Sequence, residues 1–157
     1  MAGETSAGLL MYSVKNEKLK VFLVHPGGPF FKNKDDGFWS IPKGLIENNE
    51  EYLQTAIREF KEETGITSEG EYLPLSSIKQ KNGKVVYAWA FKTENNEQHF
   101  IKSNTFKLEW PPKSGKIQEF PEIDKAEFFT VEAAKKKINE AQIELITRLE
   151  KHLKSSS

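Results

Sequence analysis

GLIENNEEYLQTAIREFKEETGI, residues Gly44 to Ile66, concentrates carboxylates on one short segment whose spacing makes sense only on a helix. From Asn49 onward, apolar Leu53, Ala56, Ile57 and Phe60 recur at helical spacing. An Asn stands where it can cap the start, acidic residues occupy the first turn, and Gly65 supplies the stop. The pattern predicts a helix of about four turns. Glu59, Glu62 and Glu63 stand at i, i+3 and i+4, so they share one face near the C-terminal end, where the helix dipole disfavours negative charge. Such a cluster repels itself unless a cation sits there, and oxygen-only donors suit a hard ion, Mg²⁺ or Mn²⁺. The plainer alternative is a solvated face salted with Arg58 and Lys61.

The whole string favours the cation. Gly44, Glu50, Arg58, Glu59, Phe60, Glu62, Glu63, Gly65 and Ile66 fit G-x5-E-x7-R-E-U-x-E-E-x-G-U without departure, U being a bulky apolar residue. From average residue usage, a chance match in a chain of this length is on the order of one in ten million. The chain therefore resembles the Nudix hydrolases. That resemblance implies an α/β fold, the Nudix-type α/β/α sandwich around a mixed β-sheet, as a single domain over residues 1–157. It implies Mg²⁺-dependent hydrolysis, by metal-activated water, of a diphosphate linkage in a nucleoside polyphosphate, with Mn²⁺ as the other metal to consider. Carried over by position, it assigns Glu59, Glu62 and Glu63 to the metal, one of them or a later Glu also serving as base. Gly44 would let its carbonyl approach the metal, Arg58 would hold a carboxylate in place, and Glu50 and Gly65 would be structural. The chemistry agrees: a diphosphate repels a hydroxide nucleophile, so a site must bring cations and a base.

The 157 residues suit one self-sufficient core. With zero Cys, disulfides and thiolate metal sites are excluded, which fits a cytoplasmic location. Lys plus Arg and Asp plus Glu both number 23, so no global basic field exists to attract polymeric nucleic acid. The longest apolar stretches, Ala7–Tyr12 and Val21–Val24, are far too short to span a membrane, and no signal-peptide layout opens the chain. The expected partner is a small nucleotide substrate, and the expected assembly a monomer or homodimer.

Around the central segment, Ser6–Val14 and Leu19–His25 read as a β-hairpin across Asn16-Glu17. The Pro26–Gly37 loop carries Phe30 and Phe31, expected to pin it to the core, with a nucleotide contact as the alternative. His25 reads as a packing or hydrogen-bonding residue at a strand end. Trp39-Ser40-Ile41-Pro42-Lys43-Gly44 leads into the box, and Lys43 is a candidate phosphate contact, the alternative being that Pro42 and Gly44 only shape the turn and Lys43 is solvated. This lead-in is similar to that of Nudix enzymes acting on dinucleoside polyphosphates, inositol pyrophosphates and some nucleoside triphosphates. Tyr72–Gln80 and Lys84–Thr93 read as strands joined by Lys81-Asn82-Gly83, the second apolar on both faces and so central. Tyr87 and Trp89 on it could stack a base or pack in the core.

Residues 93–119 read as the longest irregular element, with a strand at Gln98–Ile101. In it, Trp110 beside Pro111 and Pro112 is either a cap on the core or a candidate stacking platform, with Lys113 and Lys116 nearby for phosphate. The resemblance points to a further Glu ahead of the final aromatic strand, Lys125–Thr130, and Glu122 holds that place, Glu119 being the alternative. Val131–Lys137 and Asn139–Lys154 read as helices, the second with an apolar stripe of Ile143, Ile146, Leu149 and Leu153, and Ser155–Ser157 as a frayed end. A dinucleoside polyphosphate such as diadenosine tetraphosphate is the first-choice substrate. Those hydrolases usually carry a Tyr where this chain has Lys81-Asn82-Gly83, with Tyr87 the nearest later candidate, so nucleoside triphosphates and inositol pyrophosphates remain alternatives. A non-catalytic nucleotide-binding module of the same fold is the reading from another class.

Overall fold

The structure is a computed structural model that describes residues 4–94 and 103–155. Its centre is β1 (Thr5–Lys15), which is buried from Ser6 to Ser13 because both of its faces are covered. Asn16 and Glu17 both take left-handed φ, 52° and 65°, the conformation of a two-residue hairpin turn, and return the chain antiparallel as β2 (Lys18–Pro26). A short β3 (Lys43–Leu45) pairs antiparallel with the start of β1 along the same edge as β2. The other edge of β1 is taken by β5 (Val85–Lys92), in parallel register, and β5 in turn by β4 (Leu73–Lys79), antiparallel. The final strand, β8 (Ile123–Thr130), lies outside β2, giving a mixed six-stranded sheet in the order β4-β5-β1-β2-β8 with β3 on β1.

Alternation along β1 distributes the core to both sides. Ala7, Leu9 and Met11 face α1 (Tyr52–Thr64), packing with Phe22, Ala56, Phe60 and Phe91. Leu10 and Tyr12 face α2 (Val131–Lys137) and α3 (Ile143–Ser155), packing with Trp39, Ile41, Ile138, Leu145, Ile146 and Leu149. This is the expected three-layer α/β/α arrangement, and β5 lies inside the sheet as its two apolar faces require. Of the predicted stripe on α3, Ile146 and Leu149 are fully buried while Ile143 and Leu153 close its rim. Among the described residues, no helix is long and apolar enough to cross a membrane.

Four local expectations change. The central helix starts at Tyr52, not near Asn49: Asn48 and Asn49 take left-handed φ of 47° and 61°, and Gln54 Oε1 accepts from the Glu51 N–H at 3.1 Å. Glu50 is thereby left outside the helix, where Arg58 and Thr55 take its carboxylate. Residues 105–121 are not irregular. They form a separate antiparallel ladder, β6 (Thr105–Glu109) with β7 (Ile117–Pro121). Its residues are exposed or half-buried, so no apolar run advertised it. The predicted C-terminal helix is broken, a 3₁₀ turn at Glu140–Gln142 preceding α3. Phe30 is 60% exposed and its ring meets Trp110 edge-on at 5.3 Å, so it contacts the β6–β7 hairpin and not the core. The strand expected at Gln98–Ile101 and the tail beyond Ser155 lie outside the described residues.

Candidate active site

The site is made where β3 passes under the second half of α1. Register puts Gly44 opposite Ala7, with both facing α1. A Cβ on Gly44 would stand 2.0 Å from the carboxyl carbon of Glu59 and 2.3–2.4 Å from its oxygens. No side chain larger than hydrogen leaves Glu59 where it is. The helix ends just beyond, because Gly65 at φ 75° returns its N–H to the Lys61 carbonyl at 2.8 Å. The carboxylates therefore sit on the last two turns, as the spacing required.

Arg58 organises them. Its Nε donates to Glu50 Oε2 at 2.8 Å and its Nη2 to Glu50 Oε1 at 2.9 Å, a two-pronged pair, while Nη1 reaches Glu59 at 3.0 Å and Glu62 at 3.2 Å. One guanidinium fork thus fixes three carboxylates, something a lysine ammonium could not do. Glu50, held chiefly by Arg58 and further by Thr55, has its pKa drawn down to about 2. The sequence expectation of one carboxylate held by Arg58 was too modest.

Glu63 is different. It is half-buried beneath the strand, and its Oε2, shut off from water, has no hydrogen-bond partner among the described residues. Burial, reinforced by the charges of Glu59 and Glu122 and opposed by Lys43, raises its pKa to about 8. Burial likewise raises Glu59, with Arg58 opposing. Desolvation lowers Lys43, with Glu63 opposing. Lys43, Glu63 and Glu122 line one cleft of about 180 Å³, together with Phe38, Ser40 and Ile123.

Among the described residues, no three His, Cys, Asp or Glu side chains converge as a ready-made metal group, since Arg58 holds Glu59 and Glu62 toward itself. The remaining features still fit a hard cation. A buried carboxylate oxygen lacks a partner, a second carboxylate lies in a glycine cradle, and burial disfavours the charged form of both acids, raising each pKa.

The other candidates separate. Tyr87 follows Ala7 and Gly44 in one row across the sheet, two strand spacings or about 9.5 Å from Gly44. Its ring lies 4.5 Å from Tyr52 and does not line the cleft. Trp110 follows the last residue of β6 and lies against Phe30, also off the cleft. His25 is buried, with Nδ1 2.7 Å from Asp124 and Nε2 2.6 Å from the Lys34 carbonyl, which ties the 26–38 loop to β8. Sequence reasoning missed Phe38, 41% exposed and part of the cleft wall; its position next to the Trp39 lead-in was the available signal.

Comparison with known proteins places this geometry. The fold superposes on a C. elegans Ap4A hydrolase binary complex at TM-score 0.68 and 22% identity, covering 98% of this chain and 99% of that one. It also superposes on the NUDIX domain of Shewanella oneidensis NrtR complexed with ADP ribose at TM-score 0.66 and 15% identity, covering 98% and 90%. At such identities the likeness is one of fold. In sequence, 100 residues are 36% identical to mRNA-decapping protein g5R of African swine fever virus, covering 62% of this chain and 39% of that protein. A 33-residue stretch, 21% of this chain and 12% of the relative, is 54% identical to Nudix hydrolase 10 of Arabidopsis thaliana. The chain thus spans about two fifths, or less, of the length of these curated relatives. With the family model described as NUDIX domain matching residues 5–149, over the box, the sheet and both helical layers, this chain belongs to the Nudix family.

Proposed function

We propose that this chain hydrolyses a diphosphate linkage in a nucleoside polyphosphate with Mg²⁺ as cofactor, a dinucleoside polyphosphate such as diadenosine tetraphosphate being the first-choice substrate. The observation that carries the reading is the assembly of Arg58, Glu59, Glu62 and Gly44 beside a cleft walled by Lys43, Glu63 and Glu122. Nudix hydrolases generally use divalent metal, and Glu59, Glu63 and Glu122 with the Gly44 carbonyl are the donors that would hold it, Glu62 joining when Arg58 releases it. Bound there, the metal supplies charge neutralisation to the diphosphate and acidity to water.

The chain's own residues do the rest. Lys43 brings a point charge to the phosphates from the cleft wall. Arg58 keeps Glu59 and Glu62 aligned, and Gly44 leaves Glu59 its place. Glu62, 41% exposed, is open to accept a proton from water, and Glu122 on the rim is the other group placed to do so. Similarity to a protein named for mRNA decapping favours the same chemical class, since an RNA cap is itself two nucleosides joined through phosphates.

The test is nucleotide and phosphate release from diadenosine polyphosphates, a cap dinucleotide, nucleoside triphosphates, ADP-ribose and inositol pyrophosphate, with Mg²⁺ and with chelator. Glu62→Gln is expected to abolish metal-dependent turnover while the circular dichroism spectrum stays native. Undiminished turnover in that variant would remove this box from the chemistry, and silence of the wild type on every substrate would leave a binding module.

A further inference from the structure

The diphosphate cleft does not end at its own wall. At about 180 Å³ it is smaller than the range for a whole ligand of nucleotide size, so the rest of the substrate must lie outside it. Phe38 lines that cleft and also lines a second pocket of about 480 Å³, bounded by Gly37, Gln80, Lys81, Asn82, Asn139 and Glu140. The two spaces share one exposed aromatic ring.

The amide side chains of the second pocket have fixed orientations. A backbone N–H can only donate, so the 3.0 Å contact from the Lys84 N–H identifies Asn82 Oδ1, and that from the Ala141 N–H identifies Asn139 Oδ1. The third is fixed at one remove. Gln142 Oε1 accepts from the Ile41 N–H, so Gln142 Nε2 is the donor, and it donates to Gln80 Oε1 at 3.0 Å. In each of Gln80, Asn82 and Asn139 the oxygen is occupied and, among the described residues, the NH₂ group remains to donate. A fourth donor, Lys81, stands beside them, paired with Glu140 at 3.4 Å.

We infer that this pocket is the nucleoside subsite of the same enzyme: the base stacks on Phe38 and presents an acceptor edge to the amides of Gln80, Asn82 and Asn139, which selects guanine over adenine. Guanine offers two acceptors, N7 and O6, along one edge, whereas adenine places its N6 amine next to N7 and would set donor against donor. An aromatic ring favours a flat heterocycle over a further phosphate. The inference rests on the hydrolase reading for where the phosphates lie, and refines it by choosing the base.

The test is calorimetric binding of GDP, ADP and pyrophosphate in Mg²⁺, which needs no turnover. Asn82→Asp and Asn139→Asp, combined, keep both oxygens that accept from the backbone and remove both amide donors. Phe38→Ala removes the platform. The wild type is expected to bind GDP about tenfold more tightly than ADP, the Asn82→Asp/Asn139→Asp variant to weaken GDP by about tenfold with pyrophosphate unchanged, and Phe38→Ala, which also borders the diphosphate cleft, to weaken GDP by about tenfold and pyrophosphate less. Equal affinity for GDP and ADP, or parallel loss of GDP and pyrophosphate in the variants, would overturn the subsite. A wild type that shows this discrimination yet hydrolyses nothing would uphold the subsite and refute only the hydrolase.

Discussion

Replacing Glu63 by Gln should stabilise the metal-free protein at pH 8 and abolish part of its pH dependence. In the unfolded chain Glu63 ionises near the ordinary 4.5, whereas in the fold its proton is held to about 8 because burial and the neighbouring carboxylates disfavour the charge. Between those values the folded chain carries one proton more than the unfolded chain. The contribution of Glu63 is therefore fully present below about pH 4.5 and is lost as the pH rises toward 8. At ~1.4 kcal/mol per pH unit the rise corresponds to a ceiling of about 5 kcal/mol, which local relaxation around a real buried acid lowers to about 2. Gln is neutral throughout and nearly isosteric, so it removes the ionisation without opening a cavity. Urea midpoints at pH 5 and 8, in chelator, read the difference: the wild type should fall relative to Glu63→Gln by that amount. Parallel midpoints for the two proteins would refute the claim that desolvation holds the proton on Glu63. Adding Mg²⁺ at pH 7 gives a second reading, because a cation that binds the carboxylate expels its proton. Calorimetry in buffers of different ionisation enthalpy should detect proton release from the wild type and a smaller one from Glu63→Gln.

Three further outcomes follow from the geometry. Arg58→Lys loses the two-pronged pair with Glu50 and the reach to Glu59 and Glu62, and should lower stability by about 2 kcal/mol in urea denaturation together with turnover. Gly44→Ala forces the Glu59 carboxylate from its cradle; because that carboxylate is the end of a flexible side chain, melting should shift little while turnover drops about 100-fold. His25→Ala breaks the bonds to Asp124 and to the Lys34 carbonyl and leaves a hole under the loop. Its expected signature is faster amide exchange confined to residues 27–37 and a stability loss of about 3 kcal/mol, and unchanged exchange there would show that the loop is held by other contacts.

Much of the fold was legible because it is written locally. The two left-handed positions Asn16 and Glu17, the Asn-Gly turn at Asn82-Gly83, the doubly apolar β5 and the stop at Gly65 each depend on neighbours in sequence. The β6–β7 hairpin was hard to read because Phe106 and Leu108 alternate with Lys107 and Glu109 over four residues only and β7 shows no alternation; its Phe106 packs against the glycine loop, where a Cβ on Gly28 would strike the ring. The helix start was misplaced for a related reason. Asn48 and Asn49 look like caps, but the need to turn Glu50 back toward Arg58 puts both in left-handed conformation.

The sequence by itself determined the box: which residues bear the charges, that Glu59, Glu62 and Glu63 share the end of one helix, and the family they mark. Helical periodicity is enough for that, because residues three and four apart meet whatever the helix packs on. Only the tertiary structure decided what each carboxylate experiences. Glu63 is raised and Glu50 lowered because one lies under β3 away from water and the other lies in the fork of Arg58. It also separated Tyr87 and Trp110 from the cleft and put Phe38 in its wall, beside amides that come from residues 80, 82 and 139. Desolvation and long-range juxtaposition depend on which strand lies beside which, and no local pattern encodes that.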